Sequence, residues 1–425
     1  MQDHPVLGQV TLGFSPMINR QRQVVATRLT VFPERPESQP DPVALLAALQ
    51  EVWPADEAPG AALQLSLRPL NPSGAAQQPA GARALVSLNL AGESLLHGLM
   101  GAAPDTQLMV EVPAFMAGDP ANAVLLKELH AAGSVLLIKG RPLAPLAPEL
   151  LALFSHAIVE MGEERRAAQP SATAAAARQI TTVQAGARTS ADIEGAFQRG
   201  AVAVLGWNWD DEPPKPSGNA SVPSDVNAVM ALINGVDRER PVPELEAVLR
   251  RDPTLAFRLM RYLNSPAFGL PVEINSFGHA LMLLGYNRLK RWLSLLLASS
   301  AKGTNAKPVM FAAVRRGLLM EALCRDAGDA EIRSEMFICG VFSLLDRLLQ
   351  RPFAELLPNV PVPEGVQQAL RGEGGPYLPY LELVQAIERE SLFDIRERSD
   401  ALMLGAAEVN RAVLVALRAA RQLDG

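Results

Sequence analysis

One segment, DDEPPKPSGNASVP at residues 210–223, separates two different apolar periods. Its Pro, Gly and Ser residues and its lack of an apolar repeat mark it as a linker. Before it, short strand-like runs alternate with helical patterns. GQVTLGFSP and QVVATRLTVF flank a polar turn at 19–21, and a helical segment follows at 42–52. Strand-like runs recur at 84–90, 107–112, 134–138, 157–160, 178–184 and 202–207, with helical patterns at 94–99, 120–132, 149–154 and 190–199. This alternation over short connections predicts parallel βα units. Their number predicts a TIM-like (β/α) barrel rather than an open sheet. Beyond the linker the pattern is helical, at 309–327, 333–350, 363–370, 380–390 and 406–420. The expected fold is thus α/β followed by all-α: a barrel domain at 1–209, a linker at 210–223 and a helical domain at 224–425.

Residues 245–297 are the most patterned part of the second half. Leu245, Val248 and Leu249 recur at helical spacing. Asp252 is a good N-cap, with Pro253 at the first helical position, where its missing N–H costs nothing. Leu255, Leu259, Tyr262 and Leu263 mark the apolar face of the helix that follows, which ends before Gly269 and Pro271. Ser276 caps another helix, whose inward positions are Ala280, Leu281, Leu284 and Met282, up to Gly285. A fourth then points Trp292, Leu295 and Leu296 inward.

Composition excludes several functions. A net charge of −6 with no basic half argues against nucleic-acid binding by charge alone. The basic cluster Arg250, Arg251, Arg258, Arg261, Arg288, Lys290 and Arg291 reads as the solvated face of amphipathic helices. No apolar run is long enough to span a bilayer, and MQDHPVLGQV has no signal-peptide pattern, so a cytoplasmic protein without membrane insertion is expected. The 2 cysteines, Cys324 and Cys339, read as reduced core thiols. Trp207 and Trp209 flank the linker and are expected to pack the barrel end. There is no Gly-x-Ser-x-Gly elbow, and GEGGPY at 372–377 lacks the Lys-Ser/Thr ending of a phosphate-binding loop.

The wording of 251–270, RDPTLAFRLMRYLNSPAFGL, followed by ALMLLGYNRLKRWL, resembles the core of an HDOD domain, in the branch joined behind an EAL (cyclic di-GMP phosphodiesterase-like) domain. The order of elements before residue 214 resembles an EAL barrel. That resemblance implies hydrolysis by two divalent metals, which need several carboxylate ligands. Residue by residue the match is worn. The Glu of the opening Glu-Ala-Leu falls at Arg28, in the run Arg28-Leu29-Thr30. Asn89 and Glu111 match the next Asn and acidic ligand and are retained. The paired aspartates match Lys139-Gly140, and the strand that offers Lys and Asp reads IVEMG, with Glu160 and Gly162. The late catalytic Glu falls at Arg188 and the Gln before the last Gly at Leu205. Arg28 and Lys139 put positive charge where dications would sit, a repulsion of several kcal/mol at this range. A buried Glu111 is expected to pair with Arg28 or Lys139.

HDOD domains are related to phosphohydrolases built around an adjacent His-Asp pair. Here that pair falls at Ser343-Leu344, and Asp346 alone makes no metal site. His279 is the one histidine of this half and reads as structural. The sequence therefore points to a pseudo-enzyme with no cofactor: a non-catalytic bacterial signalling adaptor whose partners are other signalling proteins. Tyr262, Phe268, Tyr286, Arg291 and Trp292 are its candidate contact residues. The alternative is a metal-independent sensor of cyclic di-GMP or a related nucleotide in the barrel mouth, which the changes at Arg188 and Leu205 weaken.

Overall fold

The computed structural model describes residues 4–35, 37–53, 85–102, 109–142, 145–162, 180–208, 210–214, 224–250, 277–299, 306–324, 330–360 and 362–423. The chain forms two compact units. The first is Met1–Asp211 together with Gln385–Asp424; the second is Glu212–Val384. By compactness Gln385–Asp424 groups with the first unit, whereas the apolar pattern alone places residues 224–425 together.

The first unit is a closed eight-stranded barrel in sequence order. Its strands are β1 (Val10–Asn19), β2 (Val24–Pro33), β3 (Leu85–Leu90), β4 (Met109–Pro113), β5 (Val135–Lys139), β6 (Phe154–Glu160), β7 (Thr181–Ala187) and β8 (Ala203–Gly206). From β2 to β8 every neighbouring pair is parallel, while β1 runs antiparallel to both β2 and β8. The turn joining β1 to β2 holds Arg22 at φ 58°, and its ends exchange the hydrogen bonds Asn19 N–H to Gln23 O (3.0 Å) and Arg22 N–H to Asn19 O (3.0 Å). The helices of this part include α1 (Pro42–Gln50), α2 (Glu93–Gly101), α3 (Ala123–Ala131) and α4 (Ser190–Gln198). Thr189 and Asp192 close a reciprocal capping box at the start of α4.

Every residue of β1 is buried, on both faces of the strand. One face lies inside the barrel. The other is covered by the C-terminal helices α5 (Leu392–Ala401) and α6 (Ala406–Leu423), which contact β1. The side chain of Asn410 on α6 donates to Leu7 O (2.7 Å) and Val10 O (2.6 Å) and accepts from Leu12 N–H (2.9 Å). These bonds satisfy backbone groups that burial would otherwise strand. The barrel's apolar plug includes Met17, Met109, Leu137, Ile158, Val183 and Leu205.

The second unit is helical. Its helices include α7 (Ser224–Asp237), α8 (Val242–Arg250), α9 (Phe277–Ser299), α10 (Ala306–Leu323) and α11 (Ala330–Phe342). Gly285 breaks α9 with φ 72° and ψ 169°, where the sequence placed the end of one helix and the start of the next. Ala280, Leu281 and Leu284 are buried as expected, but Met282 is 84% exposed. Two steps on from Ala280, about 200° round the helix, it points away from that face. The segment around Asn264, with the predicted helix carrying Leu255 to Leu263, lies outside the described residues. Among the described helices, none is long and apolar enough to cross a membrane.

Candidate functional site

The polar residues of the barrel interior come from alternate positions of adjacent strands. In the β-pleat, residues two apart share a face. Arg28 and Thr30 on β2 stand opposite Ser87 and Asn89 on β3, and Ser15 on β1 stands opposite Arg28. Glu111 on β4 is fully buried and Arg28 is 8% exposed. Burying charge costs several kcal/mol per ion unless it is paired and its hydrogen-bonding capacity is met.

It is paired. Arg28 Nε donates to both oxygens of Glu111 (2.9 and 3.1 Å), and Nη2 donates to Oε2 (2.7 Å). Of the two partners considered for Glu111, Arg28 is the one in contact. Ser87 Oγ adds a bond to Glu111 Oε1 at 3.0 Å. The far side of the guanidinium meets a second carboxylate, with Arg28 Nη1 3.3 Å from Glu390 Oε2. Glu390 also accepts from Thr30 Oγ1 (2.9 Å) and from Ser15 Oγ (2.6 Å). Lys139 Nζ donates to Asn89 Oδ1 (2.6 Å), and Asn89 Nδ2 donates to Thr30 Oγ1 (3.0 Å). One continuous network thus holds two cations and two anions.

The electrostatics follow. Burial presses Arg28 toward its neutral form, but Glu111 and Glu390 outweigh it and its pKa stands above the ordinary arginine value. Lys139 goes the other way. Burial lowers its pKa, Arg28 adds to that, and the neighbouring carboxylates do not make up the difference.

Gly140 has φ 82°, and its N–H donates to Ile158 O at 2.9 Å. Leu205 is buried in the apolar plug and offers the mouth no polar group. Arg188 is exposed at the rim, with Nη1 3.8 Å from Asp210. Glu160 ends β6 and lines the mouth with Ser15, Arg28, Gly186 and Arg188. The cavity there is about 210 Å³, and Glu388, Arg389 and Glu390 form part of its wall. Trp207 is buried; Trp209 lies outside the described residues.

In the helical unit, Ser343 Oγ donates to Gly340 O (2.7 Å) and accepts from Arg316 Nη1 (3.0 Å). Leu344 is buried core. Burial raises the pKa of Asp346, against the pull of the Arg347 N–H (2.7 Å) and of the Arg347 and Arg316 charges. His279 is half-buried. Cys324 and Cys339 are buried thiols. Among the described residues no group of three or more His, Cys, Asp or Glu side chains is placed to hold a metal ion. Of the candidate contact residues, Arg291 is engaged within the unit, bonded to Glu321 at 2.5 Å and lying 3.9 Å from the Phe337 ring centroid. Tyr286 is half-buried, its hydroxyl 3.5 Å from Arg240 O. Trp292 lies on α9, and Tyr262 and Phe268 lie outside the described residues.

Sequence reasoning missed Ser15, Thr30, Ser87 and Glu390. Period two from Arg28 and Asn89 was enough to find Thr30 and Ser87. No local signal points to Glu390, which follows Arg28 by 362 positions.

Residues 220–358 match the HDOD domain family model. The chain is similar to the uncharacterized protein YuxH of Bacillus subtilis, 35% identical over 161 residues, covering 37% of this chain and 39% of that one. It is also similar to the cyclic di-GMP phosphodiesterase CdgJ of Vibrio cholerae, 24% identical over 202 residues, covering 48% of this chain and 47% of the relative. These matches span less than half the length of either curated relative. Among solved structures, the PaMucR phosphodiesterase in complex with c-di-GMP aligns over 48% of this chain and 91% of its own at 20% identity, with a TM-score of 0.29.

Proposed function

From the premise that this chain carries an HDOD domain behind an EAL-type barrel, we propose that it is a non-catalytic signal-transduction adaptor working through contacts with other signalling proteins. The observation that carries this reading is the Arg28–Glu111 pair. A two-metal hydrolase needs free carboxylates converging on open space, and its metals need that negative charge unopposed. Here the Glu111 carboxylate on β4 is taken by the Arg28 guanidinium, which reaches it from β2 across the intervening β3, and the Lys139 ammonium stands close by. Ser343 and Leu344 leave the helical unit without a His-Asp pair. Shape and surface remain as the means of action, and fold alone does not assign them a partner.

The second reading, a metal-independent cyclic di-GMP sensor, draws on the cavity at the barrel mouth and on the similarity to CdgJ. The magnitude goes against it: ligand pockets run to about 300–1,000 Å³, and this mouth holds about 210 Å³ with Glu388–Glu390 across it.

Two measurements on the full chain test the proposal. Incubation with cyclic di-GMP and Mn²⁺ or Mg²⁺ is expected to give no linear dinucleotide, and calorimetric titration with cyclic di-GMP no heat of binding. Turnover in the first would end the adaptor reading. Micromolar binding in the second would replace it with the sensor.

A further inference from the structure

The residue that completes the barrel network does not come from the barrel strands. Glu390 stands just past the helix Leu378–Glu388, whose last turn is closed by Glu390 N–H to Ile387 O (3.1 Å) and Ser391 N–H to Ala386 O (3.2 Å). Its φ is 54°, the left-handed conformation that ends many helices and that glycine adopts without penalty. A glutamate here is conformationally unfavourable, and what it brings that glycine lacks is the carboxylate. That carboxylate meets three convergent donors on β1 and β2: Ser15 Oγ, Thr30 Oγ1 and Arg28 Nη1.

The facing strand is shaped for the same contact. A Cβ on Gly13 of β1 would lie 3.0 Å from Glu390 Cα and 3.1 Å from Ile387 O, both backbone atoms. A side chain here would need this helix end to give way, since such distances are tighter than nearly all real Cβ contacts. Strained cap, waiting donors and glycine notch are three independent features serving one seat. Glu388 and Arg389 lie on the wall of the mouth, and Arg389 Nη2 is 3.9 Å from Asp210 at the rim.

We propose that the helix end at Glu388–Glu390 is an intramolecular latch, which closes the barrel mouth by seating the chain's own Glu390 carboxylate on Ser15, Thr30 and Arg28. Its opening is a local event. It unseats one carboxylate and one helix end, while Asn410 keeps α6 bound to β1. The occupant of the mouth is therefore part of the protein, whether or not the barrel takes any outside ligand.

Two variants open the latch from opposite sides. Glu390→Ala removes the carboxylate, and Gly13→Val fills the notch while leaving all three donors in place. Amide hydrogen exchange on the full chain reads the result. Both variants are expected to speed exchange at 388–391 by about tenfold or more, with the β4 to β7 amides unchanged. Unchanged protection at 388–391 in both variants would overturn the latch. So would an equal loss of protection through β4 to β7, because Glu390 would then be a keystone of the whole barrel.

Discussion

Replacing Arg28 by methionine leaves Glu111 with no cation in contact and no access to water. The single change is expected to cost about 3–5 kcal/mol, the range for breaking a buried ion pair by removing one partner. The double change Arg28→Met, Glu111→Leu is expected to recover most of that loss, because two apolar side chains leave no buried charge unpaired. Urea unfolding of the three proteins checks both halves of the statement; equal losses in the single and double variants would refute the pairing argument. His156 makes a separate residue-scale prediction. Buried on β6, it has its pKa lowered from 6.5 to about 4 by burial. The unfolded chain therefore binds that proton more readily than the folded one. The contribution is fully present above pH 6.5 and is lost as pH falls toward about 4, up to roughly 3 kcal/mol. His156→Gln is expected to flatten the stability profile in that window, measured by urea unfolding at stepped pH.

At the scale of elements, α10 and α11 cross in the helical unit with backbone close to backbone. A Cβ on Gly340 would lie 2.6 Å from the backbone of Arg316 and Gly317, and one on Gly317 would lie 2.7 Å from Val341 Cγ2 and 2.9 Å from Phe337 O. Gly340→Ala forces two backbones apart and is expected to destabilise by about 1–3 kcal/mol, read as a lowered thermal midpoint. The same change at Gly101, where a Cβ meets nothing within 4 Å, serves as the control. Elements of this kind were largely legible in the sequence. The strand runs from 84 onward and the helices of both halves are carried by local apolar period, which burial on one face requires. Gly285 was legible as a break because only glycine sits easily at its φ of 72°. The helix α5, with its charged run FDIRERSD, was missed because its buried residues, Ile395 and Ser399, are too few to make a period. The short polar turn at 19–21 already requires β1 and β2 to run antiparallel, but the antiparallel pairing of β1 with β8 was hidden, because no local connection joins those two strands. Arg28, Glu111 and Lys139 were found through the resemblance to a metal site; Glu390 was not, because its role depends on a distant return of the chain.

That return sets how the whole molecule can be divided. The barrel unit is discontinuous: its last helices come after the segment Glu212–Val384, and they cover the outer face of β1. A chain cut after residue 211 exposes that apolar face, leaves the Leu7 and Val10 carbonyls and the Leu12 N–H without the Asn410 side chain, and leaves Arg28 without Glu390. Such a fragment is expected to be aggregated or to melt without a cooperative transition. The complementary chain keeps 4–211 and 385–423 and joins them through a Gly/Ser linker. Its two ends are close, because Asp210 Oδ1 and Arg389 Nη2 are 3.9 Å apart. Allowing for both side chains, for one residue at 211 and for one helical turn back to 385, the ends lie within about 25 Å, a span that roughly twenty flexible residues reach at 5–6 Å per square root of residue number. The joined chain is expected to be monodisperse and to unfold in one cooperative step, followed by circular dichroism after size-exclusion chromatography. If the fragment 1–211 folds as well as the joined chain, the C-terminal helices are an accessory, and the barrel is complete without them. If both fail where the full chain succeeds, the barrel also needs the inserted helical segment, and the two compact units are one folding unit.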